Sequence, residues 1–544
     1  MRDIRSVAAA AARWRVAFVA VFVTGLALKL AVAASLAPFV DEAFYWQESR
    51  HLAWGYSDLP PLTAWLIHLG ESVAGHGLLG MRWPFIVIGS ALPWLVVALA
   101  RRYFGAKAGW QAGLCCLALP LAGTLGVLAL PDVPLTVAIA LAIYALARAM
   151  DENRLRDWLL LGMALALAWM THYRAAMPML AGLLLMALTP RGRMQWRRGG
   201  FWLAMGMAAL GLIPLIVSNL HQQGAGLEFQ LVQRNPWSFH AGALVQPLEQ
   251  AVACTPILYA LLLWALWQCL RRCRDGAPWD WLAVTSATFL IGYFLFGLFA
   301  DNTHFRAHWP LPGYLPLLAA LPVLLTGQRV RRIGWKVWVV AAFALAAAGQ
   351  LAAYVYLGVT ASGGRALIAL HETKAFPTNF TGWRQSANVV RRLLADMPAN
   401  TVLVADNFIL GAELEFQLDS MRPVYVLDSP LNVKHGRAAQ LAVWQRDEKG
   451  LYQSRAGAPA LLVVDEWILR AHQRPKWLGS VCSRMADPQF LERLDLYDGE
   501  RRFAFYAARV PAHALPARPR DACVVWRKAY AAEQRFLGQD KPSK

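Results

Sequence analysis

Long apolar stretches recur along the chain up to about residue 358, and short polar connections separate them. A helix needs about 20 apolar residues to cross the hydrocarbon core of a bilayer. The pattern therefore predicts about eleven transmembrane helices, and the first is interpreted as a retained span because no small-residue cleavage site follows it. The predicted spans are 16–37, 82–100, 110–129, 133–149, 157–171, 175–189, 200–219, 248–270, 281–300, 309–327 and 337–358.

Arginine and lysine are unevenly divided among the alternating connections. One set is rich in them, whereas the other set holds only Arg50, Arg174, Arg234 and Arg306, with Arg82 at a boundary. Basic loops face the cytoplasm in bacterial membrane proteins, so the poor set is predicted to lie outside. The predicted outside connections are 41–80, 130–132, 171–174, 220–247 and 301–308.

The hydrophobic pattern changes after about residue 360. An amphipathic helix is predicted over 383–397, and short buried strands are predicted over 401–405, 423–427 and 460–464. We therefore expect two domains: a transmembrane domain over 1–360, with an interfacial loop at 41–80, and a small α/β domain over 361–544. The odd number of spans places the second domain outside the cytoplasm.

Composition narrows the class of function. The chain is 57% hydrophobic and 16% charged, which fits a membrane protein. Its net charge of +19 lies largely in the short loops, so we expect no nucleic-acid partner. No CxxC or HExxH spacing occurs, so no metal site and no cofactor are predicted. Dependence of the activity on a divalent metal ion is left open. Cys482 and Cys523 fall in the predicted outer domain, and whether they form a disulfide is also open.

Carboxylates gather on the predicted outer side. Asp41 and Glu42 follow the first span, Asp58 precedes Pro60-Pro61, and Asp132 lies in a very short connection. A carboxylate at this position can act as a general base on an acceptor hydroxyl. The alternative is structural, because Asp and Glu also cap helices and stabilise turns.

Basic side chains on the same predicted side are few. His172 and Arg174 lie where two spans meet, and Arg306 and His308 precede the tenth span. Arginine binds phosphate through two parallel hydrogen bonds, and histidine can add a donor. The alternative is that these side chains only reach toward the membrane interface. The loop at 220–247 is interpreted as a mobile segment near the site.

Several motifs, taken together, resemble bacterial glycosyltransferase family 39, whose relatives include protein O-mannosyltransferases and lipid A aminoarabinose transferases. The resemblance covers nearly the whole chain. The motifs occur in the same order as in the family and on the corresponding side of the membrane. The motifs are Asp41-Glu42-Ala43-Phe44-Tyr45-Trp46, Gly55-Tyr56-Ser57-Asp58-Leu59-Pro60-Pro61-Leu62, Pro131-Asp132-Val133-Pro134-Leu135, His308-Trp309-Pro310-Leu311-Pro312-Gly313-Tyr314, Gly382-Trp383-Arg384 and Glu413-Leu414-Glu415-Phe416.

This resemblance implies a GT-C fold and transfer of a sugar from a polyprenyl-phosphate carrier outside the cytoplasm, typically with inversion. It implies catalytic roles for Asp41, as candidate base, and for Asp58 and Asp132. Glu42 and Tyr45, in the first motif, are expected to contact substrate. The chain departs from the family at Leu59, where relatives often have His or Lys, and at His172, where many have Lys. Arg174 or Arg306 is therefore expected to hold the carrier phosphate, with His172 and His308 assisting.

The resulting hypothesis is a multi-pass glycosyltransferase of the bacterial inner membrane, with its active site and C-terminal domain in the periplasm. Its expected partners are a polyprenyl-phosphate sugar donor, membrane lipids, and an envelope acceptor such as lipid A, another glycan or a protein. Two alternatives remain. A polyprenyl-linked lipid transporter would also need basic residues and interfacial helices, and a non-catalytic scaffold would tolerate a neutral replacement of Asp41.

Overall fold

A computed structural model describes residues 2–221, 224–233, 237–299, 307–327, 333–419, 422–466 and 484–511. The chain divides into two compact units. The membrane unit comprises Met1–Leu36 and Glu48–Ala361, and the C-terminal unit comprises Ala37–Gln47 and Ser362–Lys544. The C-terminal unit therefore includes a short segment that lies far away in sequence, just after the first span. That inclusion is a difference from the two continuous domains expected above.

The first two thirds of the chain are helical. Gly105, at φ +83, breaks the fourth helix into two at the connection predicted between the second and third spans. The helices are α1 (Arg2–Ser35), α2 (Val40–Arg50), α3 (Leu62–Ala74), α4 (Leu78–Ala118), α5 (Pro120–Gly123), α6 (Asp132–Glu152), α7 (Leu155–Thr171), α8 (Ala176–Leu188), α9 (Pro190–Arg193), α10 (Gly199–Leu210), α11 (Ile213–His221), α12 (Ala225–Glu228), α13 (Gln246–Cys254), α14 (Pro256–Arg271), α15 (Trp279–Phe299), α16 (Leu311–Gly327) and α17 (Ile333–Ser362).

Judged by length and composition, fewer of the described helices qualify as membrane spans than the eleven that the sequence predicts. Each of the eleven predicted segments coincides with a helix or a broken helix, but within the described residues only six helices are long and apolar enough to cross a membrane. Two bent pairs raise that number to eight, with breaks at Thr189-Pro190 and Thr255-Pro256. Proline supplies no backbone N–H to the preceding turn, which favours a break at both places. The break at Thr255-Pro256 lies inside the apolar run predicted over 248–270, whereas the break at Thr189-Pro190 lies at the predicted end of the span 175–189.

Buried polar contacts fix the end of α1 within the membrane unit. Arg82 is fully buried and donates to the carbonyl oxygens of Ala33 and Leu36 at 3.0 and 2.6 Å. Lys29 is also buried and donates to the carbonyl of Leu125 at 2.7 Å. Because buried charged groups are costly unless they are hydrogen-bonded, these contacts hold α1 against its neighbours. The prediction that Pro60-Pro61 separates two helices of the first outer loop is confirmed by α2 and α3.

The C-terminal unit is an α/β structure. The elements are α18 (Arg365–Ile368), α19 (Trp383–Ala395), β1 (Val402–Ala405), α20 (Phe408–Gln417), β2 (Val424–Val426), α21 (Pro430–Lys434), α22 (Arg437–Val443), α23 (Glu448–Arg455), β3 (Pro459–Asp465), β4 (Ala486–Leu496) and β5 (Arg501–Arg509). The mixed sheet has the order β2-β1-β3-β5-β4, in which β1 runs parallel to β2 and β3, and β5 runs antiparallel to β3 and β4.

The predicted helix and three strands of this unit are confirmed by α19 and by β1, β2 and β3. The sequence analysis did not identify β4 and β5, whose charged residues interrupt the apolar pattern. The buried face of α19, which includes Trp383, Ala387 and Val390, packs with Leu403 of β1 and with Val40 of the early segment. Cys482 and Cys523 lie outside the described residues, so their pairing stays open.

Candidate functional site

Asp41 and Glu42 have different environments although they are adjacent at the start of α2. Glu42 is fully buried, and its carboxylate accepts from the backbone N–H of Phe39 at 2.8 Å. This contact is half of a capping box, which satisfies a free donor at a helix start. The Asp41 side chain is 30% exposed and faces Arg437 at 3.5 Å. The structure therefore gives Glu42 the capping role that the sequence left open, whereas Asp41 is the accessible acid.

Arg437, at the start of α22, was not identified from the sequence. It is buried, and its guanidinium lies over the rings of Phe44 and Tyr45, at 4.2 and 5.0 Å from their centroids. Phe408 contributes a third ring at 5.8 Å. Tyr45, a predicted substrate contact, is thus a buried neighbour of this arginine. No sequence motif pointed to Arg437, because it is 396 residues away from Asp41 along the chain.

Asp132, Arg174 and His308 come together in the membrane unit. Asp132 is the first residue of α6, where a negative charge suits the helix dipole. One of its oxygens accepts hydrogen bonds from the Arg174 guanidinium and from Nε2 of His308, the latter at 3.0 Å. Arg174 also lies 5.3 Å from the centroid of the Trp309 ring. The very short connections that carry Asp132 and Arg174 explain this arrangement, because they keep both side chains at helix ends.

His172 has a defined structural contact beside this group. It ends α7, and its Nδ1 accepts from the backbone N–H of Arg174 at 3.1 Å. A nitrogen that accepts a hydrogen bond carries no proton, so this contact requires the neutral ring with its proton on Nε2. The structure therefore places His172 as a support for the Arg174 backbone. The predicted phosphate contact through a charged His172 would require this bond to break.

Asp58 is buried in a turn of the membrane unit. The turn is closed by a hydrogen bond from the Tyr56 N–H to the Leu59 carbonyl at 2.9 Å, and the Tyr56 hydroxyl donates to the Glu48 carbonyl at 2.8 Å. Burial, followed by the nearby Glu48, raises the pKa of Tyr56 above its ordinary value, so this hydroxyl stays protonated. Asp58 is therefore held by a rigid backbone rather than on a free loop.

A helical segment of the loop at 220–247 contacts this turn. Gln230 donates to the Asp58 backbone carbonyl at 2.9 Å. Asn219 donates to the Tyr173 hydroxyl at 3.5 Å and accepts from the Leu227 N–H at 2.9 Å. A side chain at Gly226 would place its Cβ 2.7 Å from the Tyr173 hydroxyl. The same segment thus contacts the turn that carries Asp58 and the residue next to Arg174, which agrees with its predicted position; its predicted mobility stays a prediction.

Arg234 and Arg306 lie outside the described residues, so the alternative assignment of the carrier phosphate to Arg306 stays a prediction. Within the described ranges, no group of three or more His, Cys, Asp or Glu side chains is arranged to hold a metal ion. The described candidates therefore form one group around Asp132 and another around Asp41, and these belong to different compact units.

Comparisons with known proteins agree with these features. The family model for dolichyl-phosphate-mannose-protein mannosyltransferases matches residues 58–217, which carry Asp58, Asp132 and Arg174. The lipid A galacturonosyltransferase RgtD of Rhizobium johnstonii is 28% identical over 247 residues, which are 44% of this chain. The chain spans about half (50%) of the length of this curated relative.

Two solved structures share the fold over most of the chain. The ArnT structure from Cupriavidus metallidurans in the apo state has a TM-score of 0.63 at 16% identity, with 93% of this chain and 99% of that chain covered. The structure of the same protein bound to undecaprenyl phosphate also has a TM-score of 0.63 at 16% identity, with 91% and 98% covered. The predicted GT-C fold is confirmed, and the chain is a multi-pass membrane protein.

Proposed function

We propose that this protein transfers a sugar from a polyprenyl-phosphate carrier to an envelope acceptor, with lipid A as the first acceptor to test. The observation that carries the proposal is the convergence of Arg174 and His308 on Asp132 at the ends of apolar helices. Such a group offers positive charge and hydrogen-bond donors where the phosphate of a membrane lipid would lie. The similarity to a lipid A galacturonosyltransferase and to ArnT supports this choice of reaction class.

In the proposed reaction, an acceptor hydroxyl attacks the anomeric carbon of the sugar. The bond from that carbon to the phosphate oxygen breaks, its electron pair stays on the phosphate, and the configuration inverts. Asp41 takes the proton of the acceptor hydroxyl, which is the role of a general base. Arg174 and His308 stabilise the charge that develops on the leaving phosphate. Asp58 is proposed to bind the sugar or the acceptor. No cofactor takes part in these steps, and a chelator is expected to leave the rate unchanged.

We further propose that the protein lies in the bacterial inner membrane, with the acids and the C-terminal unit on the periplasmic side. The unequal distribution of arginine and lysine among the loops supports this orientation. The carrier is proposed to be of the undecaprenyl-phosphate type. The sugar is to be identified by experiment, with carriers of a pentose, a hexose and a hexuronic acid as the donors to compare.

The test compares lipid A from three strains: a deletion strain, the same strain complemented with the wild-type gene, and one complemented with Asp41→Asn. Mass spectrometry is expected to show a sugar on lipid A with the wild-type protein and its loss in the other two. A general base typically contributes on the order of 10²–10⁴ in rate, so Asp41→Asn protein at wild-type abundance is expected to be nearly inactive. Wild-type modification by Asp41→Asn would refute the assignment of the base. Carrier-linked sugar on the cytoplasmic face alone in the deletion strain would instead indicate a transporter.

A further inference from the structure

We propose that Arg437 is the positioning residue for the Asp41 carboxylate, an inference that rests on the proposed role of Asp41 as the base. Both residues lie within the C-terminal unit, although Asp41 follows the first span in sequence. The guanidinium would hold one carboxylate oxygen and orient the other toward the acceptor hydroxyl. No motif of the sequence assigns any role to Arg437.

The geometry of the pair separates a fixed cation from an accessible anion. One Arg437 nitrogen lies 3.5 Å from Oδ1 of Asp41, and the two side chains are 3% and 30% exposed. Within the described residues, Oδ2 of Asp41 has no hydrogen-bond partner. One oxygen is thus oriented while the other stays available, which is the arrangement that a base on an incoming hydroxyl requires.

The aromatic surroundings of Arg437 limit its movement. Phe44 and Tyr45 belong to α2, which also carries Asp41, and Phe408 begins α20. Phe44 and Phe408 themselves pack edge to face at 5.6 Å between ring centroids. A planar guanidinium stacks on such rings, whereas an ammonium group would contact them as a point charge. These rings therefore fix the plane in which the guanidinium presents its hydrogen-bond donors.

Phe408 is itself held by the backbone around it. Its N–H donates to the Asn432 side chain at 3.0 Å, and the Asn407 side chain caps α20 by accepting from Ile409 and Leu410. On the other side, Trp46 packs edge to face on Phe416 of α20 at 5.2 Å, and Gln47 donates to Glu415 at 2.7 Å. Helix α2 is therefore anchored at two places on α20, and Arg437 lies near the end of α2 where Asp41 is found.

A second arginine–carboxylate pair in the same unit shows what a purely structural pair looks like. Arg501 and Asp465 are 3.0 Å apart, their side chains are 2% and 0% exposed, and Arg501 lies over the Trp383 and Phe503 rings. Both partners of that pair are closed to substrate. In the Arg437 pair only the arginine is buried, so the partly exposed carboxylate of Asp41 distinguishes it from a core ion pair.

The experiment measures initial rates of the full-length protein in lipid nanodiscs. Undecaprenyl-phosphate hexuronic acid serves as donor and lipid A as acceptor. Because a displacement of about 1 Å can cost on the order of 100-fold, Arg437→Met is expected to lower kcat by about 10- to 100-fold with little change in the KM for the donor. Arg437→Lys keeps the charge but not the planar fork and is expected to recover part of the loss. Arg446→Met is the matched control, since Arg446 also lies over an aromatic ring, that of Tyr425 at 5.4 Å, and is expected to leave kcat unchanged.

A double variant separates positioning from folding. If Arg437 acts through Asp41, then Arg437→Met is expected to cause almost no further loss in an Asp41→Asn background. A loss of similar size in both backgrounds, or a wild-type kcat for Arg437→Met, would overturn the inference. If Arg437→Met does not yield monodisperse protein, Arg437→Lys decides, and a wild-type kcat there overturns it too. If Asp41→Asn is inactive but the Arg437 variants keep the wild-type kcat, only this inference is rejected. If Asp41→Asn is active, the proposed role of Asp41 as the base is rejected.

Discussion

The paired substitution of Asp132 and Arg174 tests whether these residues act as one unit. Asp132→Asn removes the charge but keeps an oxygen, and Arg174→Gln removes the guanidinium. In the structure, Arg174 donates directly to Asp132, and their side chains are only 12% and 22% exposed. We therefore expect Asp132 to act mainly by orienting Arg174 toward the carrier phosphate. The family resemblance alone implies a catalytic role for Asp132 and does not distinguish direct chemistry from positioning.

The expected magnitude follows from the contact. A hydrogen bond to a charged group contributes roughly 1.5–3 kcal/mol when its partner is removed. At 1.36 kcal/mol per factor of ten, this corresponds to about a 10- to 150-fold fall in kcat/KM for the donor. His308 still contacts Asp132 when Arg174 is replaced, and Trp309 still contacts Arg174 when Asp132 is replaced. Because each remaining partner keeps a contact, we expect a loss in the lower half of this range.

The assay measures initial rates against donor concentration for the wild type, both single variants and the double variant in nanodiscs. The double variant is expected to be no more impaired than the worse single variant, giving a coupling energy of about 1.5–3 kcal/mol. Asp151→Asn is a matched control, because Asp151 pairs with Arg102 at 2.9 Å near the opposite end of α6 and is expected to leave donor dependence unchanged. Losses that multiply in the double variant would refute the reasoning and return Asp132 to a separate role.

Three further predictions concern other parts of the chain. Gly226→Ala, whose Cβ would lie 2.7 Å from the Tyr173 hydroxyl, is expected to lower turnover severalfold in the same assay, whereas Gly242→Ala, with open space around it, is not; equal rates for the two variants would contradict a role for the close packing of Gly226 on Tyr173. Burial, followed by the neighbouring Asp465, raises the pKa of Asp406 well above its ordinary value. The stability that protonated Asp406 contributes to the C-terminal unit is therefore expected to be fully present below the ordinary Asp pKa of about 4 and to be lost as pH rises through the raised value, and Asp406→Asn should remove this dependence in amide exchange of residues 402–410. In a cysteine-free background, Glu228→Cys is expected to react with an impermeant maleimide only from the periplasm and Arg197→Cys only from the cytoplasm; the reverse would contradict the orientation.

The sequence determined the class of the protein because hydropathy and loop charge act locally. The apolar runs located the helices, the change of pattern near residue 360 located the α/β unit, and the ordered motifs indicated the GT-C family. The break at Thr255-Pro256 was less visible, because it lies inside the single apolar run predicted over 248–270. The number of helices of spanning length also differed from the predicted number, because α4 counts as one helix across its break at Gly105 and α7 has only 17 residues.

Only the tertiary structure decided what each candidate side chain contacts. Asp41 and Glu42 are adjacent and chemically alike, yet Asp41 is partly exposed beside Arg437 and Glu42 is buried as a helix cap. Asp132, Arg174 and His308 are separate candidates in the sequence. In the folded protein, Arg174 and His308 both contact the same oxygen of the Asp132 carboxylate. Contacts of this kind join residues that are far apart in the chain, 396 positions for Asp41 and Arg437, and no local pattern records them. Local periodicity specifies helices and strands, whereas the pairing of charges depends on how those elements pack.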